Sequence, residues 1–205
     1  MSFVIRRADF YDFDERYDWA EGVADSDDIR GIIQNKLPNC VRVERAGRMA
    51  DKQGTDYWAC RPDGSQLSID VKIRATDYAV GPFPKDDLAL ETWSVLPENG
   101  RAGKLGWTRD PNKRTDFIMW YWEDTHRYCW VPFTPLCAVF SEHWEEWAET
   151  YGRWQQRSTG WSSECVFVPR AVLRQAINDW CDGDTQDGRR CRRRGYGESL
   201  ARSGS

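Results

Sequence analysis

Between Gly54 and Arg74 the chain reads GTDYWACRPDGSQLSIDVKIR, two β-prone runs joined by Arg61-Pro62-Asp63-Gly64. Proline and glycine punctuate the turn, so the segment reads as a hairpin with strands over roughly 54–60 and 66–74. In the second strand, alternation sends Ile69, Val71 and Ile73 to one face and Asp70 and Lys72 to the other. The apolar half of that pattern makes this a central strand, and the short turn returns Asp56 beside Asp70 and Lys72. Folding alone rarely requires two carboxylates and a lysine on one face of a core hairpin.

The surrounding chain supplies the frame. DSDDIRGIIQNKLPN predicts a helix near 25–37, capped by Asp25 or Ser26, with Ile29, Ile32, Ile33 and Leu37 as its apolar stripe. CVRVERA (40–46) alternates as a strand, and LALETWSV (88–95) reads as another. Glycines and prolines then interrupt regular structure from 97 to 116. FIMWYW (117–122) and YCWVPF (128–133) read as two strands joined by a turn. Phe140, Trp144, Trp147, Tyr151 and Trp154 recur three or four apart and predict a helix over 138–156. VPRAVLRQAINDW predicts a last helix, with Pro169 near its start. This order argues for a mixed α/β domain. Residues 1–181 are expected to form one domain with a helical C-terminal elaboration, and 182–205 a disordered arginine-rich tail.

Composition narrows the chemistry. The formal charge of −4 is unevenly spread: residues 1–30 hold nine acids against four arginines, whereas 101–114 hold five basic residues and one acid. A uniformly basic coat for nucleic acid is excluded, but a local cationic face is not. Seven widely spaced cysteines without a Cys-x-x-Cys pair point to reduced thiols, hence a cytoplasmic setting. With only His126 and His143, zinc hydrolases and Ser-His-Asp chemistry are disfavoured. No run approaches the ~20 apolar residues of a membrane span, and the N-terminal stretch lacks the apolar core of a signal peptide.

Two carboxylates placed as Asp56 and Asp70 repel one another unless a cation lies between them, and hard oxygen ligands select Mg2+ or Mn2+. The backbone carbonyl of Val71 completes the protein ligands, and Lys72 stands ready to orient water or offset charge on a phosphate. A plain cross-strand salt bridge accounts for Asp56 and Lys72 as well. With six lysines and 33 acids, about one acid-x-Lys triplet arises by chance, so the triplet gains weight only from its central strand.

In this context Thr55-Asp56 and Asp70-Val71-Lys72 resemble the PD-(D/E)XK nuclease superfamily, over about residues 25–135. That pattern is an acid opening one core strand and acid-x-Lys on the next, after a helix. Thr55 stands where the family usually has proline. Downstream, ALETWSV, GKLGW and TDFIMWYW are similar to uncharacterised phage and mobile-element proteins that carry this core. The resemblance implies a restriction-endonuclease-like central mixed β-sheet flanked by helices. It also implies a magnesium- or manganese-dependent deoxyribonuclease, acting in the host cytoplasm if phage-encoded, with Asp56, Asp70 and Lys72 catalytic.

Further candidates follow. Glu91 lies in an apolar strand, where an unpaired acid is costly; it is either a third active-site acid or an acid paired with an arginine. Asp27 and Asp28 are outer-ligand candidates or ordinary first-turn acids, and Asp77 reads as a turn residue. Asp116 reads as a cap or a partner of Arg114. Lys104, Arg109, Lys113 and Arg114 suit DNA phosphates and Trp107 suits a base, unless they form a solvated loop anchored by that ring. The aromatic helix 138–156 suits core burial or a homodimer interface, and the arginines at 189–194 suit a nucleic-acid arm or a soluble tail. Two rival functions stand beside the nuclease: a non-cleaving nucleic-acid binder of the same fold, and a protein-binding inhibitor or assembly factor using the aromatic helix.

Overall fold

The computed structural model describes residues 5–7, 13–24, 26–98, 100, 102–158 and 160–186. Asp25 and the arginine cluster 189–194 lie outside them. The elements, in order, are β1 (Ile5–Arg7), α1 (Phe13–Ala24), α2 (Asp27–Lys36), β2 (Arg42–Arg45), α3 (Arg48–Lys52), β3 (Tyr57–Cys60) and β4 (Gln66–Arg74). There follow β5 (Asp87–Val95), β6 (Lys104–Leu105), β7 (Phe117–Trp122), β8 (Tyr128–Pro132), α4 (Phe133–Tyr151), β9 (Arg153–Ser158), β10 (Trp161–Pro169) and α5 (Arg170–Gln186). The protein is mixed α/β. Its chain divides into two compact units interleaved in sequence, one containing Glu15–Asp77 and Asn112–Phe133, the other containing Tyr78–Pro111 and the described residues 134–186.

The hairpin unit is built on a mixed sheet ordered β2-β3-β4-β7-β8, antiparallel throughout except for the parallel β4/β7 pair. Its hairpin turn closes through Gly64, whose φ of +80° suits a residue without Cβ, while Asp63 accepts hydrogen bonds from the Ser65 amide and hydroxyl at 2.9 and 2.6 Å. Helix α2 lays Ile29 and Ile33, and the Leu37 that follows it, on the face formed by Tyr57, Ala59, Ile69, Val71, Phe117, Met119 and Tyr121. Ile29 and Ile33 are fully buried, each contributing about 1.5–3 kcal/mol of transfer free energy. Strand β7, FIMWYW, is buried at every position, as an unbroken apolar run in a central parallel pairing should be.

The second unit carries a sheet ordered β1-β9-β10-β5-β6, with only β1/β9 parallel. Here the structure departs from the sequence expectation. The helix expected over 138–156 is α4, Phe133–Tyr151, and Trp154 belongs to β9. Gly152, at φ +84°, donates to the Ala148 carbonyl at 3.1 Å and ends the helix where a glycine is favoured. At the other end of the chain, α5 continues through Gln186, so residues 182–186 are helical rather than part of a disordered tail. Among the described residues no helix is long and apolar enough to cross a membrane.

Candidate functional site

Backbone pairing between β3 and β4 runs up to Tyr57 opposite Ile69, and the Asp56 amide adds one more bond to the Ile69 carbonyl at 2.8 Å. At the next step the Asp56 side chain replaces the backbone: its Oδ2 accepts the Val71 N–H at 2.6 Å. The N–H and C=O of one strand residue leave on the same side, so the Val71 carbonyl is directed toward Asp56 too. Asp70, on the face away from α2, is buried at 4% exposure, and its Oδ1 accepts from Lys72 Nζ at 2.8 Å. Asp70 lies close enough for its charge to act on the Asp56 carboxyl. The structure therefore brings Asp56, Asp70, Val71 and Lys72 together, as their alternation requires.

The electrostatics of this group are unbalanced. Burial, and secondarily the Asp70 charge, push the Asp56 carboxyl up to about 7; Lys72 and the Val71 N–H pull it back only in part. Such a pair lacks positive charge. Its donors, two carboxylates and a backbone carbonyl, are the oxygens that Mg2+ or Mn2+ prefers. The set therefore fits a divalent ion in ligand type, although no group of three or more His, Cys, Asp or Glu suited to a metal occurs among the described residues.

A neighbouring loop completes the surroundings. Gly54 has φ +95°, and a Cβ there would stand 3.1 Å from Lys113 Cδ and 4.0 Å from Asp70 Oδ2, so glycine lets the loop close over both. The buried Thr55 hydroxyl donates to the Arg114 carbonyl at 3.1 Å, and the Arg114 amide donates to the Gln53 carbonyl at 2.9 Å. These two ties hold Lys113 beside the carboxylates, its ammonium donating to the Lys52 carbonyl at 3.1 Å. Sequence reading placed Lys113 among phosphate-binding residues without seeing this proximity. The available signal was Gly54-Thr55, a glycine and a small hydroxyl directly before the acid.

The other candidates are distributed differently. Glu91 belongs to the second unit, where its carboxylate accepts from Ser94 Oγ at 2.7 Å and from the Trp107 amide at 3.1 Å. Its partners are thus a hydroxyl and an amide, and its work there is to hold the 105–108 turn against β5. A Cβ on Gly106 would stand 2.1 Å from the Glu91 carbonyl oxygen, which explains a glycine at that position. Trp107 is buried at 8% exposure, anchoring its loop instead of presenting a ring to solvent. Arg109 is stacked against Trp93 and Trp144, 5.3 and 4.4 Å from the ring centres. Lys104 and Arg114 are exposed, and the five candidates for nucleic-acid contact divide between the two units.

Asp28 lies on α2 near Tyr121 Oη (3.5 Å) and His126 Nδ1 (3.3 Å), on the opposite sheet face from Asp70, so it is not brought to the carboxylate pair. Asp27 forms a 3.7 Å pair with Arg30 within α2. Asp77 is no simple turn residue: it is fully buried and receives the Arg127 guanidinium through Nε and Nη2, with Thr125 Oγ1 at 3.0 Å. Asp116 accepts from the Ser68 amide and hydroxyl at 2.8 and 2.9 Å, tying β4 to β7 rather than pairing with Arg114. In the aromatic helix, Phe140 and Trp147 are buried within the protein, and Trp144 and Tyr151 are half-buried. Compared with known protein families, curated proteins and solved structures, the chain matches none.

Proposed function

We propose that this protein is a metal-dependent nuclease hydrolysing DNA phosphodiester bonds in phage or mobile-element DNA metabolism. The observation that carries this reading is the convergence of Asp56, Asp70 and Lys72 on one end of the hairpin, with the Asp56 carboxyl raised to about 7 by burial and, secondarily, by the Asp70 charge. A mixed sheet that joins an antiparallel hairpin to a parallel strand, with α2 on its apolar face, supports a restriction-endonuclease-like core.

Asp56, Asp70 and the Val71 carbonyl would hold Mg2+ or Mn2+, which would polarise a phosphate oxygen and acidify the attacking water. Lys72 holds the Asp70 carboxylate in place through their 2.8 Å bond, and its partly exposed ammonium offsets negative charge that builds on the phosphate. Asp56 spans two roles, fixing the hairpin through the Val71 N–H and leaving its remaining oxygen for the ion. Lys113 adds a second ammonium beside Asp70, suited to the scissile or the adjacent phosphate.

The test is cleavage of linear, circular and branched DNA with magnesium or manganese, beside a binding measurement on each variant. Asp70→Asn should abolish cutting, and Lys72→Ala should lose at least ~100-fold in rate while still binding DNA, the scale of one preorganised electrostatic group. If pure wild-type protein cuts none of these substrates yet binds them, the non-cleaving nucleic-acid-binding reading replaces this one.

A further inference from the structure

Helices α4 and α5 leave between them a groove of about 480 Å³ that the nuclease reading does not use. Glu142, Glu146 and Asp179 line it, together with His143, Trp147 and Trp180 over an aliphatic floor. Among the described lining residues there is no lysine or arginine. Among the described residues these acids pair with no lysine or arginine: His143 Nδ1 lies 3.5 Å from Glu146, and Gln175 donates to Asp179 at 2.8 Å. Glu142 has no ion pair among the described residues. Trp147 is buried and stacked by His143, with ring centres 5.4 Å apart, so the half-buried Trp180 is the indole available, and three carboxylates around it make a receptor for a cation with a flat, partly apolar head. Among side chains that describes arginine, whose guanidinium bonds carboxylates in a planar fork and stacks on indole faces.

An arginine source lies on this chain. Arg189, Arg190, Arg192, Arg193 and Arg194 begin three residues after Gln186, where α5 ends. The groove-lining positions of α5 run from Val172 to Trp180, which at the helical rise of 1.5 Å per residue lie about 9–21 Å back from Gln186. An extended chain spans at most ~3.5 Å per residue, so positions 189–194 reach about 10–28 Å from the same point. The two ranges overlap along the whole groove. We propose that the α4–α5 groove is the docking site of the chain's own arginine segment, residues 189–194. Guanidiniums held there are withdrawn from phosphates, so nucleic acid and the groove compete for the same side chains.

Cys191 sits within the segment and makes the proposal measurable in the full-length protein. In a Cys181→Ser background, Glu142→Cys introduces a thiol in the groove, and Glu145→Cys introduces one on the same helix but off its lining. Under mild oxidation the thiol at 142 should form an intramolecular disulfide with Cys191 at least ~10-fold faster than the thiol at 145, the minimum expected of a held over a freely tethered pair. The advantage should disappear in 0.5 M salt, estimated from screening to a few ångströms, and when the five arginines are replaced by glutamine. Equal rates at the two positions, or an advantage that survives loss of the arginines, would overturn the proposal. Covalent dimers in place of the intramolecular bond would assign the groove to a second copy and overturn it as well. A second measurement covers misfolding: a synthetic peptide of residues 187–198 should bind the five-glutamine protein, and Glu142→Gln with Glu146→Gln should weaken that binding at least ~10-fold.

Discussion

Asp56 accepts the Val71 N–H, which favours its ionised form, while burial and the Asp70 charge oppose ionisation and hold its pKa near 7. The consequence for stability has a definite sign. Between about pH 4 and pH 7 the native state keeps a proton that the unfolded chain releases, so stability should fall as pH rises through that window and level off above it. Asp56→Asn retains an acceptor for Val71 N–H but cannot ionise. Its melting temperature should therefore vary less across that window and exceed the wild-type value at pH 8 without divalent ions, by about 2–4 °C per kcal/mol relieved. Melts at pH 5 and pH 8 check this; an unchanged slope would remove the carboxylate strain. The acids and Lys72 were legible because a strand has period two and the turn is short. Lys113 was not, because its position depends on Thr55 meeting Arg114, a contact 59 residues apart in sequence.

At the scale of elements, legibility followed the chemistry of the buried face. The hairpin, α2 and β7 present aliphatic and aromatic residues inward, and pattern alone located them. Strand β10 was missed because two of its four inward positions, Ser162 and Glu164, are polar and buried. Glu164 is accommodated by the Thr92 hydroxyl at 2.9 Å, Gln155 at 3.4 Å and Arg153 at 3.7 Å, none adjacent to it in sequence. The aromatic run 140–154 misled for a different reason. Its spacing outlasts the helix, which Gly152 ends before Trp154 enters β9. The turn anchored by Glu91 provides an element-level prediction. Gly106→Ala forces a Cβ into the Glu91 carbonyl and should cost at least about 1–3 kcal/mol, the usual range for overpacking. Glu91→Ala leaves the Trp107 N–H without its acceptor and should cost about 1–3 kcal/mol. Urea midpoints measure both, and a cleavage assay on Glu91→Gln separates an anchoring role from a catalytic one.

For the whole molecule, metal binding and folding are one equilibrium if the carboxylate pair is a ligand set. Millimolar Mg2+ or Mn2+ should raise the wild-type melting temperature, and more at pH 8 than at pH 5, because the ion competes with the proton on Asp56. Asp70→Asn should show no comparable rise; equal rises in both proteins would place the ion elsewhere. The mixed α/β class was readable from element order, but the interleaving of two units was not, since it rests on pairings between distant strands. That interleaving has a consequence during synthesis. Strand β4 ends at Arg74, yet the parallel neighbour that completes it, β7, ends at Trp122. At ~5–20 residues per second the ribosome needs about 2–10 s to deliver the intervening stretch. Throughout that interval the strand bearing Asp70 and Lys72 has one open edge, so nascent chains stalled within it should be protease-sensitive and prone to chaperone capture, and chains released beyond β8 should not.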